Sequence, residues 1–138
     1  MDDQRTEKRR IGDLGESVAV NYLRSGGYVI LDQNYQRPWG EIDIVAKRKK
    51  KIHFIEVKTV AHETSIKLRK YVEAGVFRPE QQVDMHKKRR LRKIIDTWLQ
   101  QRQPEIDYDL QVDIYAVYLV EPEKLAVVNV FPNIDLYE

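Results

Sequence analysis

Cysteine is absent from the 138 residues, which rules out disulfides, thiolate nucleophiles and cysteine-ligated zinc or iron–sulfur centres. The three histidines, His53, His62 and His86, have no metal-ligand spacing among themselves. A metal here would therefore be held by oxygen or imidazole. Long apolar runs are also lacking: nothing approaches the roughly eighteen residues of a membrane span. The opening Met1-Asp2-Asp3-Gln4-Arg5 is charged where a signal peptide needs its apolar core, so the expectation is a cytoplasmic chain with no membrane partner. Gly12, Gly15, Gly26 and Gly27 form no phosphate-cradling pattern. The length suits one domain spanning residues 1–138.

What is present is charge, unevenly spread. The net charge is only +2, yet basic residues gather in Lys8-Arg9-Arg10, Lys47 to Lys51 and Lys87 to Lys93, the last interrupted only by Leu91. Any one block alone reads as a solvated face. Three of them around acidic strands point to a polyanionic partner.

Along the chain, Ile11, Leu14, Val18 and Tyr22, joined by Ala19 and Leu23, recur at helical spacing between Arg5 and Ser25, and Gly26-Gly27 ends that helix. Tyr28 to Leu31 reads as a short buried strand. After the turn Pro38-Trp39-Gly40, residues 41–48 and 51–59 read as a hairpin about Lys49-Lys50. Ala61 to Arg78 is polar and poorly patterned, suggesting a loop with at most a helical turn near Leu68 to Val72. Pro79 suits the first turn of a second helix, whose stripe of Val83, Leu91, Ile94, Ile95, Trp98 and Leu99 runs to about Gln103. Asp109 to Val120 and Leu125 to Phe131 complete a mixed sheet of about five strands flanked by helices, an α/β fold.

The informative feature is acid inside apolar strands: Glu41-Ile42-Asp43-Ile44-Val45 and Phe54-Ile55-Glu56-Val57-Lys58. Burying a lone carboxylate is costly, so each demands a partner. With Lys49-Lys50 as a two-residue turn, Arg48 pairs with Lys51, Asp43 faces Glu56 and Glu41 faces Lys58; a three-residue loop would shift the register by one. Two explanations are open. The acids form structural ion pairs with Lys58, Lys47 or Arg48, or a divalent cation such as Mg²⁺ lies between them with help from the Val57 carbonyl. In the second case Lys58, on the same face by strand period, is placed to orient a water or to neutralise charge at a phosphate.

The wider pattern is more specific. Gly12-x-x-Gly15-Glu16, Asn34-Tyr35, Gly40-Glu41-Ile42-Asp43, Phe54-Ile55-Glu56-Val57-Lys58-Thr59, Val83, Lys87-Lys88-Arg89-Arg90-Leu91 and Val112-Asp113 together resemble the bacterial YraN family, which is Holliday-junction-resolvase-like within the PD-(D/E)XK nucleases. The resemblance implies a restriction-endonuclease-like core and Mg²⁺- or Mn²⁺-dependent hydrolysis of nucleic acid, DNA in particular. It implies that Asp43 and Glu56 are metal ligands, Lys58 the catalytic lysine and Glu16 an additional acid from the first helix. Related resolvases also imply a two-fold homodimer. Val60 departs from the pattern, since the family usually carries arginine there.

Lys87, Lys88, Arg89 and Arg90 are the candidate phosphate contacts, the plainer alternative being a solvated helix face. Trp39 is either a base-stacking residue or local packing in its turn, and His53 alternates away from Glu56 as a structural residue. The competing function is a nucleic-acid-binding module that keeps the fold without turnover.

Overall fold

The computed structural model describes residues 3–62, 64–75, 83–102, 108–120 and 124–137. The Lys49-Lys50 turn does join a tight hairpin of β2 (Gly40–Arg48) and β3 (Lys51–His62), with Arg48 opposite Lys51. Lys49 takes a positive φ of 56° to close it. β1 (Val29–Arg37) lies antiparallel on the outer side of β2. β4 (Asp109–Val120) runs parallel to β3 in unbroken register, and β5 (Leu125–Phe131) returns antiparallel at the far edge. The sheet order is thus β1-β2-β3-β4-β5. Parallel neighbours need a crossover, and here it contains α2 (Ser65–Glu73) and α3 (Met85–Arg102).

The mixed five-stranded sheet is covered on both faces, an α/β arrangement consistent with a restriction-endonuclease-like core. On one face α1 (Asp3–Ser25) packs Ala19, Val20 and Leu23 against Ile44, Ala46, Ile55 and Val117. On the other, α3 packs Leu91, Ile94, Ile95 and Trp98 against Val45, Ile52, Phe54 and Ile114. Leu68 of α2 joins Ala116, Tyr118 and Val120. Among the described residues no helix is long and apolar enough to cross a membrane.

Several expectations are corrected. The helical turn expected near Leu68 to Val72 is present and is longer than expected, but residues 61–78 are otherwise not the loop expected, as far as they are described: β3 continues to His62, Thr64 caps α2 by accepting from the Lys67 N–H at 3.1 Å, and the Tyr71 ring lies near those of His62 and Tyr118. The short apolar face of α2, Leu68 and Tyr71, was enough to show one turn and too little to show the full nine residues. β1 is longer than Tyr28 to Leu31 and is not buried, with Val29 and Leu31 exposed on an edge strand. α3 begins at Met85, where Asp84 caps it by accepting from the Lys87 N–H at 2.9 Å; Pro79 and Gln103 lie outside the described residues.

The buried face of α1 is also rotated from the expected stripe. Leu14 and Tyr22 are exposed, whereas Gly15, Ala19, Val20 and Leu23 are buried. The cause is Gly15, where an added Cβ would stand 1.9 Å from Thr59 Oγ1. Without a side chain there, the helix seats directly on β3. That rotation turns Glu16 towards the sheet.

Candidate active site

Asp43 sits where regular pairing fails on both sides of β2. The ladder to β3 stops at Ile44↔Ile55, and in the ladder to β1 the pairs Gln33↔Ile44 and Tyr35↔Ile42 flank an unpaired Asn34, which has a φ of 50°. Residues two apart on a strand should share a face, yet Ile42 lies in the core under α3 and Ile44 in the core under α1. β2 therefore twists over at Asp43. The expected facing of Asp43 with Glu56, and of Glu41 with Lys58, is corrected accordingly, since neither pair belongs to the ladder. Instead the strands part, and the Val57 N–H donates to Asp43 Oδ2 at 2.8 Å across the gap.

The acids still converge. Burial pushes the Asp43 carboxyl up to about 7 against the opposing hydrogen bond from Val57, and the negative charges of Glu16, Glu56 and Glu41 push it the same way. Glu16 is raised too, mainly by burial and then by Asp13 and Glu41, while a hydrogen bond with Asn34 works the other way. The seating of α1 through Gly15 thus brings the first-helix acid into the cluster. Glu41 is a fourth acid that the pairing argument treated only as a partner of Lys58; its alternation with Asp43 was the available signal.

Glu56 carries the cationic side of the cluster. Its Oε1 lies 3.4 Å from Lys58 Nζ and pairs directly with Lys87 Nζ from α3. Burial and the neighbouring Lys87 ammonium lower the Lys58 pKa, with Glu56 opposing. Burial also acts against the charge on Lys87, but its hydrogen bond to Glu56 and the fields of Glu56 and Asp43 prevail and raise it. The other oxygen, Glu56 Oε2, is buried with no hydrogen-bond partner. Such an atom is expensive unless a donor or cation serves it.

Two hollows open onto this point. The one beside α1, of about 850 Å³, is lined by Glu7, Glu16, Glu41, Asp43, Glu56 and Lys58 among others. The other, of about 1040 Å³, lies between the β1–β2 turn and α3 and shares Glu41, Glu56 and Lys58. Of the expected basic contacts, Lys87 and Arg90 line this second hollow, whereas Lys88 and Arg89 line neither. The Lys47 to Lys51 block is elsewhere: Lys47 lies over the Tyr108 ring, Arg48 over Tyr28, and Lys51 donates to Gln111. Ion pairs of the acids with Lys47 or Arg48 are therefore not formed.

His53 is structural, as expected. It is buried with Nδ1 2.8 Å from Asp113 Oδ2, and Asp113 also accepts from Gln111 Nε2 and the Asn133 N–H. This links β3, β4 and the chain after β5 on a different part of the sheet from the acids.

The donor chemistry of the cluster suits a hard, oxygen-seeking cation: crowded carboxylates, one of them with an unserved buried oxygen, and no soft ligand. Among the described residues, however, no three His, Cys, Asp or Glu side chains stand close enough together to enclose a metal. Water and a substrate phosphate would have to complete the shell, as is usual for Mg²⁺.

Residues 15–117 match the family described as Uncharacterised protein family UPF0102. A UPF0102 protein of Caldanaerobacter subterraneus subsp. tengcongensis is 35% identical over 127 residues, covering 92% of this chain and 93% of that one. A UPF0102 protein of Moorella thermoacetica is 37% identical over 123 residues, 89% and 92% of the two chains, and one of Dictyoglomus thermophilum is 32% identical over 117 residues, 85% and 89%. The matched span takes in Glu16, Asp43, Glu56, Lys58 and Lys87, and this chain belongs to the UPF0102 family.

Proposed function

We propose that this protein is a Mg²⁺- or Mn²⁺-dependent endonuclease that hydrolyses phosphodiesters of nucleic acid, DNA above all and branched DNA as a candidate substrate. In this reading it is a cytoplasmic enzyme of the YraN type within the PD-(D/E)XK nucleases. One observation carries the proposal. Asp43, Glu56, Lys58 and Glu16 meet at the parting of β2 and β3, and the buried Glu56 Oε2 is left without a partner there. A purely structural acid cluster has no reason to leave such an atom beside an open hollow.

Asp43 and Glu56 are the residues that would hold the cation, with the Val57 carbonyl as the nearest main-chain oxygen donor. When bound, the cation would supply Lewis-acid stabilisation of phosphate charge and a more acidic water. The chain's own part is positioning. Lys58, its pKa lowered by burial and by Lys87, is suited to orient the attacking water and to donate to the phosphate as charge builds on it. Lys87 adds a second positive charge on the same side, and Glu16 adds an acceptor for a water on the α1 side. The water oxygen bonds to phosphorus and gives up a proton to solvent, the phosphorus–oxygen bond to the leaving group breaks, and the departing oxygen is protonated from solvent. A two-fold dimer would place two such sites on one branched substrate.

A second reading has its own observation. Lys58 and Lys87 already pair with Glu56 Oε1, as in a binding module whose acids merely hold lysines in place. The two separate by experiment. Linear, single-stranded and branched substrates are incubated with Mg²⁺ or Mn²⁺, using wild type, Asp43→Asn and Lys58→Met. Cleavage by wild type that both variants lose supports the nuclease; no cleavage under any condition, with binding unaffected by Asp43→Asn, supports the module.

A further inference from the structure

The two hollows that meet at Glu56 differ in charge. The α1 side sets Glu7, Glu16, Glu41, Asp43 and Glu56 against Lys8 and Lys58, whereas on the α3 side Arg37, Lys58, Lys87 and Arg90 outnumber Glu41, Glu56 and Asp84, and an indole, that of Trp39, is added. A polyanion is repelled by the first and drawn into the second. Building on the nuclease reading, we infer that the α3-side hollow is a seat for single-stranded nucleic acid, with Trp39 as a platform on which an unpaired base stacks beside the carboxylate cluster.

Trp39 is not a loose surface aromatic. Pro38 before it fixes its own φ. Gly40 after it lies so close to α3 that an added Cβ would be 3.4 Å from Ile94 Cβ and 3.5 Å from the Arg90 carbonyl oxygen. The indole Nε1–H donates to Thr97 Oγ1 at 3.1 Å, and that hydroxyl in turn donates to the Lys93 carbonyl at 3.0 Å. Lys93 Nζ stands 5.6 Å from the ring centroid, which places a cation at the indole as well. The ring is thus held from both ends of its turn and by its one polar atom, yet it remains 38% exposed and lines the hollow. The other tryptophan, Trp98, shows what packing alone does here: it is 2% exposed, in the core against Phe54.

The combination of a cationic groove and a fixed aromatic is how proteins hold nucleic-acid strands whose bases are free. A duplex offers phosphates to the cations, but its base faces are already stacked and cannot use the indole. The inferred substrate class is therefore nucleic acid with unpaired nucleotides next to the scissile phosphate, such as a branch, flap or gap.

The test uses the whole chain in EDTA, so that no cleavage occurs. A thymidine oligonucleotide of roughly ten nucleotides and a blunt-ended duplex of matching phosphate number are titrated while tryptophan emission is followed. Quenching by the single strand is expected, with little by the duplex. Trp39→Ala is expected to abolish that quenching and weaken single-strand binding by about 5- to 100-fold, with duplex affinity changed less than about twofold; Trp39→Phe should retain most of the affinity. Equal losses for strand and duplex, or unchanged single-strand affinity in Trp39→Ala, would overturn the inference. Metal-dependent cleavage by a protein whose emission ignores single strands also overturns it while sparing the nuclease reading, and single-strand quenching without cleavage under any metal does the reverse.

Discussion

Gly15 of α1 lies against Thr59 of β3 so closely that a methyl group on its Cα would stand 1.9 Å from the Thr59 hydroxyl oxygen, 2.6 Å from Cγ2 and 2.8 Å from Cβ. The threonine follows Lys58, and Glu16 follows the glycine. One van der Waals contact thus sets how near the first-helix acid comes to the lysine and carboxylates of the sheet.

This contact predicts opposite signs for two glycines of the same helix. Replacing glycine by alanine in a helix normally gains up to about 1 kcal/mol, and Gly12→Ala, which meets nothing within 4 Å, is expected to show that gain. Gly15→Ala is expected to lose about 1–3 kcal/mol through overpacking. Thr59→Ala should recover part of it, because the contact to Cβ remains, and Thr59→Gly more. Urea unfolding of the single and double variants measures both effects. A Gly15→Ala protein as stable as wild type would refute the close seating.

Asp43 predicts a pH dependence in the metal-free protein. Its folded pKa is pushed up to about 7 from an ordinary 3.8, by burial first and then by Glu16, Glu56 and Glu41. A raised folded pKa means that the native state favours the protonated form. Its contribution to stability is whole below about pH 4 and is lost as the pH climbs through about 7. Asp43→Asn, which cannot ionise, should therefore gain stability relative to wild type across that interval, by an amount of order a few kcal/mol. Denaturation in EDTA at pH 4, 5.5 and 7.5 tests this; a constant difference between the two proteins contradicts it.

His53 and Asp113 predict a stability effect without a catalytic one. Asp113 is 1% exposed and serves His53, Gln111 and the Asn133 N–H at once. Asp113→Ala strands those groups in the interior and is expected to cost about 3–5 kcal/mol. The acid cluster does not include this pair, so cleavage per folded molecule below the melting range should stay within about twofold of wild type. A large loss of cleavage in a protein that is still folded would tie the pair to the active site instead.

What could be read without coordinates follows from the range of the forces involved. The Lys49-Lys50 hairpin, the long β4 and the helices at either side show as local periodicity and turn chemistry, and all are present. The idea that acids in apolar strands must meet also survives, because the cost of burying charge does not depend on detail. The manner of their meeting was hidden. Strict alternation places Asp43 opposite Glu56, but the chain twists over at Asn34 and Asp43 and replaces a ladder bond with one from the Val57 N–H to a side chain. The pairing of Lys87 with Glu56 was equally out of reach, since it links residues on elements separated by α2. Long-range contacts of that kind leave no periodic trace.

Lys58 and Lys87 share one carboxylate oxygen, and this gives the last prediction. Their titrations are linked: burial and then the Lys87 charge lower Lys58, while Glu56 and Asp43 raise Lys87. Lys87→Met should therefore raise the Lys58 pKa, visible as a shifted titration of its Nζ by NMR. The same variant removes one cation from the nucleic-acid side, so the slope of log affinity against log salt should become shallower by about one. Lys58→Met is expected to cost about 10²- to 10⁴-fold in cleavage with a smaller effect on binding, because Lys87 keeps Glu56 paired. Equal losses of affinity from the two substitutions, with no change at Lys58 when Lys87 is gone, would mean that the lysines act as independent surface charges.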